Sequence, residues 1–70
     1  MVKNFKISLA AARVNAGLTQ ESVAKTLKVS KNTVVNWEKG KYQPSFPVLN
    51  MLSHLYKIPI DNIFLHEKST

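Results

Sequence analysis

The stretch Val29–Tyr42, VSKNTVVNWEKGKY, decides the fold. Ser30 is a good helix N-cap and Gly40 a good stop, so residues 31–39 form a helix between them. At about 100° per residue, Val34, Trp37 and Glu38 fall between about 240° and 340° from Lys31. That arc is the core side. Val35, Lys39, Asn32 and Asn36 fall on the opposite arc, between about 40° and 140°. Side chains with several hydrogen-bonding atoms are costly to bury unpaired, and Asn is a mild cost inside any helix. Two asparagines on one outward face beside lysines need no buried partner. The bland reading of that arc is a solvated face of an amphipathic helix. The functional reading is that Asn matches the N6 and N7 edge of adenine in a major groove. Val35 on the same arc suits a thymine methyl, and Lys31 suits guanine O6/N7 or a phosphate.

Punctuation on either side extends the helical pattern. Ser8 caps an alanine-rich segment over residues 9–16, and Gly17 ends it. Thr19 caps a second helix over 20–27, where Glu21 complements the dipole and Val23, Ala24 and Leu27 share one face. Lys28 and Val29 then turn the chain into Ser30. Ser45 caps a helix over 46–56, with Pro47 tolerated in its first turn and Val48, Leu49, Leu52, Leu55 and Tyr56 as its apolar stripe. Pro59 opens a last short helical segment, 60–65, whose Ile60, Ile63 and Phe64 close the core. Met1 to Ile7 reads as an extended lead-in and His66 to Thr70 as a polar tail. The expectation is one all-α domain spanning residues 1–70, with five helices and no strand. The second and third helices are too closely joined to lie antiparallel and must cross steeply, as in a helix-turn-helix.

Composition narrows the function classes. Seventy residues at 44% hydrophobic and 20% charged make one small globular domain with no room for a large cleft. Cysteine is absent, which excludes disulfides and thiolate metal sites. No apolar run approaches bilayer-spanning length and no signal-peptide core is evident, so a cytoplasmic, nucleoid-associated location is expected. A formal charge of +6 points first to nucleic acid and second to an anionic membrane surface. The lysines cluster along the second and third helices rather than along one long amphipathic face, which disfavours the membrane. The acids are scattered, and no activated nucleophile or phosphate-cradling glycine loop accompanies them, so no enzymatic activity is expected. His54 and His66 are too far apart for a helical ligand pair and lack clustered acids, so neither a metal nor any cofactor is expected.

The segment Leu18–Lys41, LTQESVAKTLKVSKNTVVNWEKGK, resembles the phage repressor and Cro type of helix-turn-helix, the lambda-repressor-like DNA-binding domains. The match carries Gln20 at the start of the second helix, then Ala24. Apolar Val23, Leu27, Val29, Val34 and Trp37 follow, and then Glu38-Lys39-Gly40. It extends over about Ser8 to Leu65. One departure is Lys28, at a turn position that is often Gly in this family. A left-handed backbone there would cost roughly 1 kcal/mol. The resemblance implies that Lys31, Asn32, Thr33 and Asn36 read bases. It implies that Gln20, Lys39, Lys41 and Tyr42 contact phosphates, and that Arg13 and Glu38 form a structural ion pair tying the first helix to the third. Trp37 then serves the core rather than acting as a stacking platform for a single strand. The implied activity is sequence-specific binding of double-stranded DNA by a transcriptional regulator, in the default case a repressor on a roughly palindromic operator. A homodimer on DNA through Ile60 and Phe64 of the C-terminal helices would accompany it. The alternative is an antitoxin or anti-repressor type module that mainly holds a protein partner.

Overall fold

The computed structural model describes residues 6–65. Each helix begins at the polar residue that can start it. Ser8 Oγ accepts the Ala11 N–H, and α1 runs over Leu9–Asn15. Thr19 and Ser22 cap each other reciprocally at the head of α2, Gln20–Leu27. Ser30 Oγ accepts the Thr33 N–H at the head of α3, Lys31–Lys39. Ser45 occupies the same position before α4, Phe46–Tyr56, without a side-chain capping bond. There Pro47 removes one first-turn donor that would otherwise need a partner.

All four helices end the same way, on a residue with positive φ. These residues are Gly17 (75°), Lys28 (60°), Gly40 (81°) and Lys57 (58°). In each case the next residue's N–H reaches back to a carbonyl near the helix end: Leu18 to Arg13, Val29 to Ala24, Lys41 to Asn36 and Ile58 to Ser53. Glycine adopts this conformation freely and lysine does not. A Lys28→Gly variant is therefore expected to gain about 1 kcal/mol of stability, raising the melting temperature by several degrees. Thermal denaturation checks it, and an unchanged midpoint would mean that glycine's extra unfolded-state entropy cancels the gain.

Past α4 the structure departs from five helices. Ile60–Asn62 form a single 3-10 turn, and Ile63–Phe64 then extend as a strand, β2. This strand pairs in parallel with β1, Ile7–Ser8, matching Ile7 with Ile63 and Ser8 with Phe64. The spacing of Ile60 and Ile63 fits one helical turn, but β-branched Ile63 next to an aromatic favours a strand when a partner is present. The partner is the chain's opposite end, which local periodicity does not reveal. Lys6 Nζ reinforces the closure by donating to the Asp61 carbonyl at 2.9 Å. The remaining lead-in, residues 1–5, and the tail, residues 66–70 with His66, lie outside the described residues.

The core is one cluster drawn from every helix and both strands. Ile7, Leu9, Ala12, Val23, Ala24, Val34, Trp37, Leu49, Leu52, Tyr56 and Ile63 are buried in it. Leu18, Leu27, Val29, Val48, Leu55, Ile58, Ile60 and Leu65 pack around its edge. The most extensive contact between elements is α2 against α3. That pairing fixes the angle at which α3 is presented.

Candidate nucleic-acid interface

α3 has two dissimilar faces. Val34 and Trp37 are buried, while Lys31, Asn32 and Lys39 are exposed and Thr33, Val35 and Asn36 lie between. The outward surface therefore combines two asparagines and a valine between lysines at the helix ends. Nine residues of helix span about 13 Å, comparable to the roughly 12 Å width of a B-DNA major groove. Lys41 and Tyr42 continue past the helix end, both exposed, with the Lys41 ammonium 5.9 Å from the Tyr42 ring centroid.

Behind this surface is a polar network that holds the helices together. Arg13 Nε donates to Glu38 Oε2 at 2.7 Å, and its Nη2 donates to Oε1 at 3.3 Å. Its Nη1 donates to the Leu18 carbonyl at 2.9 Å. The two side chains are only 14% and 8% exposed. A guanidinium forked against a carboxylate is geometrically stringent, so this contact fixes direction as well as distance. The Glu38 carboxylate holds the Arg13 guanidinium above its ordinary value. Tyr56 of α4 completes the surroundings. Burial pushes its hydroxyl up to about 12, with the nearby Glu38 charge adding to the shift and Arg13 opposing it.

Gln20 is also part of this network. Its Nε2 donates to Glu38 Oε1 at 2.9 Å, so the side chain points inward at α3. One amide hydrogen and the Gln20 backbone N–H remain for an anion, while the Ser22 N–H is taken by Thr19 Oγ1. Thr33 is likewise engaged: its hydroxyl lies 2.9 Å from Ser30 Oγ at the helix cap. Lys31 Nζ donates to Glu21 Oε2 at 3.1 Å across the turn between α2 and α3. That hydrogen bond lowers the Glu21 carboxyl below its ordinary value.

The structure thus gathers Lys31, Asn32, Val35, Asn36 and Lys39 on one helix, with Lys41 and Tyr42 just beyond it. Gln20, Thr33 and Lys31 each already hold a side-chain partner, in Glu38, Ser30 and Glu21. Three participants escaped sequence reasoning: Gln20 as a Glu38 ligand, Glu21 as a Lys31 ligand, and Tyr56 beside the buried pair. The first two join residues 18 and 10 positions apart, beyond the spacings that helix periodicity links. Their shared feature is that Gln20 and Glu21 both occupy the first turn of α2, which packs against α3. Of the C-terminal pair, Ile60 opens the 3-10 turn, half-buried. Phe64 lies on β2, 46% exposed, so neither is on an α-helix.

Comparison with known proteins agrees with this geometry. A family model described as helix-turn-helix matches residues 9–63. An uncharacterized HTH-type transcriptional regulator of Methanocaldococcus jannaschii is 42% identical over 50 residues, covering 71% of this chain and 76% of that protein. The cryptic phage CTXphi transcriptional repressor RstR of Vibrio cholerae is 36% identical over 56 residues, covering 80% of this chain and 50% of that protein. The HTH-type transcriptional activator BcrR of Enterococcus faecalis is 33% identical over 64 residues, covering 91% of this chain and 31% of that protein. No solved structure matches. No helix among the described residues is long and apolar enough to cross a membrane.

Proposed function

Because the chain belongs to the helix-turn-helix family of transcriptional regulators, we propose that it recognises a specific double-stranded DNA sequence through α3 and regulates transcription there. The observation that carries this reading is the division of α3. Asn32, Val35 and Asn36 lie on the side away from buried Val34 and Trp37. The inner side is tied to α1 and α2 through Glu38. Lys31, Asn32 and Asn36 read base edges, Asn36 and Asn32 by bidentate bonds of the adenine type. Thr33 contributes from the helix start, where its hydroxyl exchanges its Ser30 partner for the nucleic acid. Lys39, Lys41 and Tyr42 contact phosphates at the far side of the groove, and Gln20 contacts one at the head of α2 through its spare amide hydrogen. Affinity arises largely from counterion release at the lysines, and selectivity from the asparagines.

A unit of this size reads only a few base pairs. Two copies on a roughly palindromic operator, with half-sites about 34 Å apart, would supply the remaining selectivity. Half-exposed Phe64, together with Ile60, is the proposed contact between copies. Occlusion of a promoter, hence repression, is the proposed output of that binding.

Selection from random duplex DNA tests the proposal. Enrichment of a palindromic motif supports it, whereas no enrichment would overturn it in favour of a module that holds a protein partner. On the selected site, Asn36→Ala is expected to lose about 1–3 kcal/mol of binding, with a much smaller loss on random duplex. Lys41→Ala is expected to weaken all sequences alike and to lower the salt slope by about one. Equal losses on both DNAs for Asn36→Ala would remove it from the base-reading set.

A further inference from the structure

Between Leu18 and Lys41 the acidic residues are Glu21 and Glu38. Glu38 is turned inward against Arg13 and Gln20. Glu21 is 68% exposed, and the other exposed charges of this segment are the lysines Lys25, Lys28, Lys31, Lys39 and Lys41. A carboxylate there opposes any polyanion that approaches. It is also the group that holds Lys31, the first residue of α3, at 3.1 Å. Lys31 is an unusual choice for that position, since a cation at a helix N-terminus meets the positive end of the dipole. Both anomalies have one explanation if the two residues act as a unit.

We propose that Glu21 is an affinity-limiting counter-charge: its carboxylate holds the Lys31 ammonium away from the phosphates, so that Lys31 engages DNA only where a base edge offers more than Glu21 does. This inference rests on the reading of α3 as the base-reading helix. On random duplex the pair stays closed and the head of α3 presents no net side-chain charge. On a matched site the ammonium leaves the carboxylate for a base acceptor such as guanine O6/N7, the two acceptors that a lysine at this position can meet. The pair suits such a gate. It is solvent-exposed on both sides, and exposed pairs are weak enough for DNA to open them. It also joins the first turns of the two helices of the motif, so neither residue is needed in the core.

A cycle of the wild type, Glu21→Gln, Lys31→Met and the double variant tests this, with binding measured on the selected site and on random duplex. Freeing Lys31 in Glu21→Gln is expected to tighten random-duplex binding about fivefold and to steepen its salt slope by about one. The selected site is expected to tighten at least as much, because there Lys31 no longer has to leave Glu21, so affinity rises on both DNAs and the selectivity ratio does not fall. In the Lys31→Met background the same Glu21→Gln change is expected to have little effect on either DNA. Equal tightening in both backgrounds would overturn the proposal, because Glu21 would then be a generic repulsive charge or a dipole partner of α2. A wild type with no preferred site would instead overturn the base-reading function. The random-duplex cycle alone would then still decide whether Glu21 restrains Lys31.

Discussion

A Trp37→Ala variant is expected to lose much of the domain's stability. Trp37 is 9% exposed and belongs to the same buried cluster as Leu9, Val34, Leu49 and Leu52. Truncating a buried aromatic to alanine costs about 3–5 kcal/mol, from lost burial and from the cavity left behind. A domain of this length has a total stability of only about 4–10 kcal/mol at typical values per residue. The loss therefore consumes much of the total, and circular dichroism should show a shifted or absent melting transition. Trp37→Phe separates the two roles open to this side chain. It keeps most of the buried ring, so fold and DNA affinity are expected to survive. A Trp37→Phe protein that folds normally but loses DNA binding would make Trp37 a stacking surface instead of core.

Glu38→Ala is expected to cost about 2–3 kcal/mol, near the lower end for breaking a buried pair because this one retains some solvent contact. The loss is large because one carboxylate serves two donors. Without it Arg13 keeps only the Leu18 carbonyl, and Gln20 loses its bond to α3. A largely buried guanidinium without its counter-charge is costly. Urea denaturation checks the magnitude, and an unchanged midpoint would show that the pair does not support the fold. Replacing both partners by apolar residues, Arg13→Met with Glu38→Leu, isolates the second function. Such exchanges often leave stability near neutral. If the network exists to set the direction of α3, the double variant is expected to stay folded yet lose preference for its selected site. Retained preference would mean that helix packing alone orients α3.

Most of the helical framework was legible because its signals are local. Ser8, Thr19 and Ser30 each accept a backbone N–H from within the next turn. Gly17 and Gly40 carry the positive φ that stops α1 and α3. The wheel separated Val34 and Trp37 from Asn32 and Asn36 because helical angles depend only on residue spacing. The C-terminal segment defeated the same method. Ile60 and Ile63 fit a helix locally, but Ile63 pairs with Ile7 at the other end of the chain. The side-chain partners of Gln20 and Lys31 were hidden for a related reason. Both reach residues on other helices, and which atoms meet depends on how α2 crosses α3.

Two things about this protein follow from its sequence alone. One is the position of α1 to α4, which short-range capping and periodicity determine. The other is the chemical character of the outward face of α3, since the residues opposite a buried stripe are set by the helical repeat. Tertiary structure decided what sequence spacing does not encode. It replaced a fifth helix with a 3-10 turn and a strand, because an extended partner was available at the chain's start. It turned Gln20 inward to Glu38. And it brought Glu21 against Lys31, because the packing of α2 on α3 lets these two long side chains meet, so a residue that looked like a free cation at the groove carries its own counter-charge.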